Sequence, residues 1–422
     1  MQSQGDKPRG DSRVDLRTAA MQVVRSLTEA GNIAYFAGGC VRDRLMGLEP
    51  TDYDIATDAR PDAVGKLFRK SQHVGESFGV MLVSSMGHQI QVAAFRTEGV
   101  YSDGRHPDTV AYSDARHDAQ RRDFTINGLF ENPLTGELID FVGGQADLKA
   151  KLIRAIGDPH ARLREDRLRM LRAVRFSARF GFAIDAATSE AIRAGADDLP
   201  GVSPERIGQE VKQMLSDRNR AVAAMELQTL GLDQAVLREP HQAAAPNRLG
   251  RLPPDVAYPT ALAAWLLDRH EDADADVTAR ARRWSAALLL SNADQTAMSR
   301  CLDVYETLLR GSWPQLRVAK QKRLAAGGEF DEALLLLQAT DPQAWVRIRR
   351  EVSVLAESDL APPALIGGHD LIALGLPRGP LFKRVLDAVY DAQLEGTVRE
   401  KAAALALAKT ISLTAEGGSP DT

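Results

Sequence analysis

The sequence predicts an α+β protein in which a mixed domain of strands and helices is followed by a long helical region. Before about residue 145, short apolar runs such as IAYFAGG, YDIAT, GVMLVSS and QIQVAAF alternate with turn residues, which is typical of strands. After it, Ala, Leu and Arg recur at helical spacing, with proline-bearing breaks near 200, 236–259, 314 and 362. No repeat of fixed period is present, so a solenoid is not predicted.

Composition narrows the class of protein. A chain of 422 residues, 44% of them hydrophobic, can build two to four domains. The formal net charge of −4 argues against a surface that attracts nucleic acid everywhere, but it leaves local basic patches open. Cys40 and Cys301 lie too far apart to predict a disulfide framework or a zinc site. Without a long apolar run, we expect a cytoplasmic protein with no membrane partner, beginning with a disordered lead-in over residues 1–13.

The first helices are expected near 14–30 and 61–70, and between them lies a strand, glycine turn and helix start. The stretch YFAGGCVRDRLMG places Gly38 and Gly39 after an apolar run and just before a helix that includes Arg42. Backbone N–H groups converge at such a helix start and favour phosphate, and an arginine adds a charged fork. A glycine pair by itself more often only allows the backbone to turn and binds no ligand.

The next segment, TDYDIAT at 51–57, brings two acids close together. In a strand, Asp52 and Asp54 would share one face while Tyr53 and Ile55 turn into the core. Two neighbouring carboxylates repel each other unless a cation lies between them. Hard oxygen ligands in small number suit Mg²⁺, which keeps waters and binds substrate phosphates. The alternative is a cluster of capping and turn residues.

A basic helix follows the predicted sheet. In REDRLRMLRAVRFSAR, Asp166, Arg169, Arg172 and Arg175 recur every three residues and form a stripe along one side. Residues 151–180 contain nine Lys and Arg against three Asp and Glu, inside a chain that is acidic overall. Such a face favours triphosphate or RNA backbone. The alternative is a solvated helix with surface salt bridges.

The motifs resemble those of the bacterial class II tRNA nucleotidyltransferase and poly(A) polymerase family, and they occur in the same order along the chain. Two further stretches extend the resemblance, RRDFTING at 121–128 and SPERIGQEVKQML at 203–215. The resemblance implies a polymerase-beta-like nucleotidyltransferase palm over residues 14–145, then an all-α neck (146–235), body (236–360) and tail (361–422), the tail contacting tRNA. It implies CTP and ATP as substrates and the tRNA 3′ end as acceptor, and no stable protein partner.

The resemblance also implies roles for individual residues. Asp52 and Asp54 would be the catalytic carboxylates that hold Mg²⁺. Asp166 and Arg169 would select the base, since a carboxylate accepts from an exocyclic amine and a guanidinium donates to a ring nitrogen or carbonyl. The remaining members of the site would hold the triphosphate or the acceptor end: Gly38, Gly39, Arg42, Arg122, Arg172 and Arg175.

The branch of the family is a separate question. The stretch HVGESFGVMLV (73–83) lacks the GRRFxxxH pattern of bacterial poly(A) polymerases, and the polar segment 97–120 resembles a loop that CCA-adding members use to change from C to A. We therefore expect full CCA addition. The alternatives are an A-adding enzyme that works with a separate CC-adding one, a poly(A) polymerase, and an RNA-binding protein without activity. Gln91, where many relatives carry an acid, is the one feature that favours a slow or inactive protein.

The predicted body contains a trace of a second family domain. Some relatives carry an HD-type phosphohydrolase domain, and ALAAWLLDRHEDADAD (261–276) keeps its apolar helix and Asp268 but has no adjoining HD pair. His270 and the acidic run are more typical of a solvated helix end than of metal ligands. We expect a degenerate HD-like region without a metal site.

Overall fold

The structure is a computed structural model that describes residues 15–73, 79–99, 110–269, 276–376 and 379–416. The predicted lead-in at 1–13, residues 100–109 of the segment that resembles the C-to-A loop, and His270 lie outside these ranges. The described chain forms two compact units, residues 1–214 with 222–241, and residues 215–221 with 242–422. The predicted limits of head, neck, body and tail stay a prediction. No helix within the described ranges is long and apolar enough to cross a bilayer.

The first unit begins with a sheet and its covering helices. In chain order the elements are α1 (Leu16–Glu29), β1 (Ala34–Ala37), α2 (Gly39–Leu45), β2 (Asp54–Thr57), α3 (Pro61–Leu67), β3 (Ser71–His73), β4 (Val80–Ser85), β5 (His88–Ala94), β6 (Arg96–Glu98), β7 (Val110–Tyr112), α4 (Ala115–Gln120), β8 (Leu129–Asn132), β9 (Glu137–Asp140) and α5 (Gly144–Ala150). The helices predicted near 14–30 and 61–70 are confirmed.

The first unit then becomes helical. Its later elements are β10 (Leu152–Ile153), α6 (Pro159–Glu165), α7 (Leu168–Phe180), β11 (Ala183–Ile184), α8 (Ala186–Gly195), α9 (Pro204–Leu215), α10 (Arg220–Thr229) and α11 (Asp233–Leu237). The two short strands β10 and β11 pair in parallel, so this part is helical except for one two-stranded ribbon. The α+β prediction, a mixed sheet followed by helices, is confirmed.

The seven-stranded sheet has the order β3-β4-β5-β2-β1-β8-β9. Of its pairings, only that between β2 and β5 is parallel. Helix α1 covers one face, because its buried residues recur at helical spacing: Ala19, Ala20, Val23, Val24 and Leu27. Phe36, Ile55 and Val92 project from the sheet into the same core. Residues that alternate with these, such as Ala37 and Ala56, lie on the opposite face.

The second unit is helical in its described parts. Its helices are α12 (Asn247–Arg251), α13 (Tyr258–Asp268), α14 (Val277–Ala287), α15 (Asn292–Leu309), α16 (Val318–Ala325), α17 (Gly328–Thr340), α18 (Pro342–Ala356), α19 (Gly368–Ala373), α20 (Pro380–Leu394) and α21 (Lys401–Glu416). Trp265 packs edge-on against Trp284, with 5.2 Å between ring centroids. Helices α19 to α21 bury their own apolar cluster around Leu371, Val385 and Ala404.

Asp268, the acid retained from the HD-like pattern, has a structural role in the second unit. It is buried, and its carboxylate accepts hydrogen bonds from the backbone N–H groups of Arg248 and Leu249, both at 2.9 Å, and from the Arg248 guanidinium at 3.3 Å. These donors belong to the first turn of α12, so Asp268 caps that helix from a distance in sequence.

Candidate active site

A cavity of about 610 Å³ opens beside the sheet face opposite α1, at the end of β2. Its size is in the range of small-ligand sites. All the residues that the sequence predicts for the site line this cavity: Gly38, Gly39, Arg42, Asp52, Asp54, Arg122, Asp166, Arg169, Arg172 and Arg175. The fold therefore brings together residues that are up to 137 positions apart in the chain, from Gly38 to Arg175.

The two carboxylates approach the cavity from different backbone environments. Asp54 begins β2, whereas Asp52 precedes the strand and is exposed, so the prediction that one strand carries both was wrong for Asp52. The reason lies in the neighbouring strand. Pairing ends where Ala37 meets Asp54, because the next residue, Gly38, has φ +71° and turns the chain away. Tyr53 is buried as predicted.

The electrostatics of the pair fit a cation. Burial, and secondarily the charge of Asp52, raises the pKa of Asp54 to about 6, while Arg122 acts in the opposite direction. A divalent ion between the two carboxylates would remove this penalty, and two hard oxygen donors suit a metal that completes its shell with water and phosphate. No group of three or more His, Cys, Asp or Glu side chains able to hold a metal occurs in the described ranges.

Gln91 stands next to the pair. Gln91 on β5 lies directly opposite Asp54 on β2 in the parallel pairing of these strands. It is exposed to solvent and lines the same cavity. Because neighbouring strands are about 5 Å apart, an acid at this position would lie beside Asp54. The amide of Gln91 instead brings an oxygen acceptor and an N–H donor without a charge.

The glycine turn has a specific steric reason. Gly38 has a positive φ, and a Cβ built on it would lie 2.6 Å from Nη1 of Arg122. Both the backbone conformation and the close approach of the guanidinium therefore require glycine. The helix that follows, α2, starts at Gly39, so this glycine belongs to the helix and not, as predicted, to the turn before it. The turn thus lets Arg122 reach the floor of the cavity beside Asp54.

Arg42 lines the cavity but is largely buried. Its guanidinium donates to Asp43, through Nε at 2.8 Å and Nη2 at 2.6 Å, and to the side chain of Asn127. It lies over the rings of Phe176 and Phe180, 5.1 and 4.6 Å from their centroids. Arg42 therefore joins α2 to α7, and only its cavity-facing edge is placed to meet a ligand.

The arginines of α7 are held by acids beneath them. Arg172 donates from Nε to Asp123 at 2.8 Å, and Arg175 donates from Nε to Glu210 at 2.6 Å. Asp123 also accepts from Asn127 at 2.9 Å. Burial acts to raise the pKa of Asp123, but the Arg172 charge and these hydrogen bonds outweigh it and hold the pKa well below its usual value. The carboxylates fix the guanidiniums in position along the cavity wall.

The two residues predicted to select the base lie at the junction of α6 and α7. Asp166 accepts from Arg206 at 2.8 Å, and its other oxygen accepts from the Leu168 backbone N–H at 3.1 Å. Arg169 donates from Nη1 to Glu165 at 2.6 Å. Asp166 has an extended backbone between α6 and α7, so the prediction that it shares a helical stripe with the three arginines was wrong for this residue. Arg206 and Glu165 therefore hold the side chains of Asp166 and Arg169 in place.

Sequence reasoning missed Arg206 and the acids Asp118, Glu165 and Glu210, which orient these groups. Arg206 and Glu210 lie in the SPERIGQEVKQML stretch, which carries the family resemblance but no signal of these contacts. Asp118 and Glu165 had a usable signal, since each stands three to four residues before arginines of the site: Asp118 before Arg121 and Arg122 at the end of α4, and Glu165, the last residue of α6, before Arg169 on α7.

Comparison with known proteins identifies the family of the chain. The family model "Poly A polymerase head domain" matches residues 34–154, and "Probable RNA and SrmB-binding site of polymerase A" matches residues 181–245. The chain is 44% identical over 202 residues to the CCA-adding enzyme of Bacillus pumilus, which covers 48% of this chain and 50% of that one. It is 30% identical over 417 residues to the CCA-adding enzyme of Limosilactobacillus reuteri, covering 94% and 97%.

A solved structure extends the likeness to the whole fold. The crystal structure of the Bacillus stearothermophilus CCA-adding enzyme in complex with CTP superimposes with a TM-score of 0.74 at 28% identity, covering 95% of this chain and 98% of that one. The family predicted from the motifs is confirmed. The chain belongs to the class II tRNA nucleotidyltransferase and poly(A) polymerase family.

Proposed function

We propose that this protein adds CCA to the 3′ end of tRNA, one nucleotide at a time, from CTP and ATP and without a nucleic-acid template. The observation that carries the proposal is a single cavity lined by two carboxylates, a wall of arginines, and the pair Asp166 and Arg169. The similarity to CCA-adding enzymes over nearly the full chain supports it. A tRNA substrate also supports the cytoplasmic setting that the sequence predicts.

In the proposed reaction, the 3′-hydroxyl oxygen of tRNA attacks the α-phosphate in line, the bond to the β-phosphate breaks, and pyrophosphate leaves. Nucleotidyltransferases of this family generally use divalent metal ions. We assign Mg²⁺ to Asp52 and Asp54. When bound there, it would lower the pKa of the attacking hydroxyl and neutralise developing charge.

The protein's own groups bind and orient the reactants. We assign Gly38, Gly39, Arg122, Arg172 and Arg175 to the triphosphate or the acceptor end, where guanidiniums bind phosphate oxygens. We assign the cavity-facing edge of Arg42 to the same role. The acids that hold the arginines favour a fixed geometry, which lowers the entropic cost of aligning the reacting atoms.

Base choice is assigned to Asp166 and Arg169. The carboxylate accepts from the exocyclic amine that cytosine and adenine both carry, and the guanidinium donates to ring nitrogen or carbonyl. Uracil lacks this amine, so the half-buried Asp166 carboxylate would lose the donor that cytosine or adenine supplies, which disfavours uracil. Arg206 and Glu165 support this assignment, because they hold the two groups in one orientation.

The decisive experiment uses purified protein with Mg²⁺ and three transcripts of one tRNA, ending before CCA, after C and after CC. Each transcript is offered CTP, ATP or both. Extension of all three to a complete CCA end, followed by arrest, is the expected result and would make Gln91 compatible with activity. Extension of only the CC-ending transcript would identify an A-adding enzyme, and long A tails a poly(A) polymerase.

Matched variants separate catalysis from binding. Asp52→Ala and Asp54→Ala should each abolish addition while gel-shift binding of tRNA stays near that of the unmodified protein. Asp62→Ala, an exposed acid on α3 outside the cavity, is the control and should extend normally. Failure of the unmodified protein to extend any transcript would favour an RNA-binding protein without activity.

A further inference from the structure

Asp118 lies on α4, behind two arginines of the cavity. Its side chain is only 1% exposed, whereas those of Arg121 and Arg122 are each 20% exposed and line the cavity. Its Oδ1 accepts from Arg121, from Nε at 2.8 Å and Nη2 at 2.7 Å. Its Oδ2 accepts from Arg122, from Nε at 3.3 Å and Nη2 at 3.0 Å. One buried carboxylate thus anchors two guanidiniums.

The arrangement follows from helical spacing and charge. Arg121 and Arg122 directly follow the last residue of α4, and their backbone N–H groups still donate back to the carbonyls of His117 and Ala119, both at 3.2 Å. This turn brings both guanidiniums to the same acid, three and four positions earlier in the chain. Adjacent guanidiniums repel each other, and the carboxylate offsets one of their two charges. Burial acts to raise the pKa of Asp118, but the charges of Arg122 and Arg121 hold it below its usual value. The acid is therefore ionised throughout the neutral range.

The orientation of Arg122 depends on three contacts. Asp118 holds one edge of its guanidinium, Nη1 donates to the Asn127 carbonyl at 3.2 Å, and the group lies over the ring of Phe130, 5.0 Å from the centroid. Asp118 supplies the ionic contact of the three, and charge-assisted hydrogen bonds are the stronger ones. Loss of that charge should free the guanidinium to rotate.

We infer that Asp118 is a positioning residue for nucleotide binding, which fixes the guanidiniums of Arg121 and Arg122 in the orientation that receives the triphosphate. Asp118 itself touches no nucleotide, because it lies beneath both arginines. The inference rests on the proposed function in one respect, namely that the triphosphate binds in this cavity.

The test is CTP binding, measured by calorimetry without tRNA, together with steady-state kinetics on the CC-ending transcript with ATP. Asp118→Asn keeps the shape of the side chain and removes its charge. The Kd for CTP and the KM for ATP should rise roughly tenfold or more, since misplaced positioning groups typically cost one to two orders of magnitude. The kcat should change little, because the arginines bind ground state and transition state alike.

A matched control distinguishes positioning from general stability. Asp185 also pairs with an arginine, accepting from Arg154 at 2.6 Å, but neither residue lines the cavity. Asp185→Asn should leave the Kd for CTP within about twofold of the unmodified protein. In an Arg122→Ala background, Asp118→Asn should weaken CTP binding much less than in the unmodified protein, because coupled residues are not additive.

The possible outcomes distinguish the positioning role of Asp118 from the proposed addition of CCA to tRNA. If Asp118→Asn lowers the melting temperature but leaves the Kd for CTP within about twofold, the inference is overturned. If the unmodified protein binds CTP with the expected dependence on Asp118 but extends no tRNA, the proposed function fails while the inference stands. Should the Asn variant not fold, Asp118→Glu keeps the charge but displaces both guanidiniums, and a raised Kd for CTP is again expected.

Discussion

Replacing Asp54 with Asn should make the metal-free protein more stable at neutral pH while abolishing nucleotide addition. The reason is the cost of burying the Asp54 carboxylate, to which the like charge of Asp52 adds, when no cation is bound. Asparagine removes the like charge and can donate a hydrogen bond to Asp52. The residue on which the proposed chemistry depends is therefore expected to reduce the stability of the unliganded fold, a trade-off common at functional sites.

The magnitude follows from the pKa of Asp54, which is raised from 3.8 to about 6. The folded state binds this proton more tightly than the unfolded state. Protonation of Asp54 therefore contributes fully to the free energy of unfolding below about pH 4, and this contribution is lost as the pH rises through 6. A full shift corresponds to about 3 kcal/mol. Because the cavity is open to solvent, we expect about 2 kcal/mol, which is roughly 4–8 °C in melting temperature for a unit of this size.

The assay is thermal unfolding of the unmodified protein and of Asp54→Asn in EDTA at pH 4 and pH 7.5. The variant should melt higher at pH 7.5, and the difference should shrink to near zero at pH 4. Adding Mg²⁺ at pH 7.5 should raise the melting temperature of the unmodified protein more than that of the variant. Asp62→Asn is the control. Equal melting temperatures at pH 7.5 without metal would refute the claim that the ionised Asp54 destabilises the metal-free fold.

Three further predictions follow from the same contacts. Arg169→Ala should reduce the preference for CTP over UTP in single-nucleotide addition by about tenfold. The control Arg164→Ala, at an exposed residue, should leave this preference unchanged. If Arg169→Ala showed the same preference as the unmodified protein, base selection by Arg169 would be contradicted. Arg172→Ala should lower the free energy of unfolding by about 3 kcal/mol, because the buried Asp123 loses its counter-charge. Arg179, whose side chain is 40% exposed, is the control, and Arg179→Ala should lower it by under about 1 kcal/mol. Asp268→Ala should lower thermal stability by about 2 kcal/mol without changing nucleotide addition; a loss of addition at unchanged stability would contradict a capping role.

Local features of the fold could be predicted from the sequence because they depend on near neighbours. The strand, glycine turn and helix around Gly38 follow from an apolar run, two glycines and a helix start. The burial of Tyr53 and Ile55 follows from alternation along the chain. The position of Asp52 could not be predicted, since the strand ends where its partner β1 ends, and that depends on a pairing 17 residues away.

The contacts that order the site are not visible in the sequence. Arg172 pairs with Asp123 across 49 positions, Asp166 with Arg206 across 40, and Arg175 with Glu210 across 35. The periodic stripe predicted which side chains share a face, but a single sequence carries no signal for which acid lies beneath each arginine. The same limit applies to Arg42, whose aromatic neighbours on α7 lie more than 130 positions further along the chain.

The packing of α7 against the sheet domain has a consequence for how the protein is made. As the chain leaves the ribosome, the strands of the sheet emerge before α7. Until α7 follows, Asp123 has no Arg172 as its counter-charge, and Phe124 lacks the ring of Phe176, which lies 6.0 Å away in the finished fold. A fragment that stops at residue 145 is therefore missing part of its own interior. The wall of the nucleotide cavity is complete only when Arg206, which lines it, and Glu210, which holds Arg175, have been synthesised.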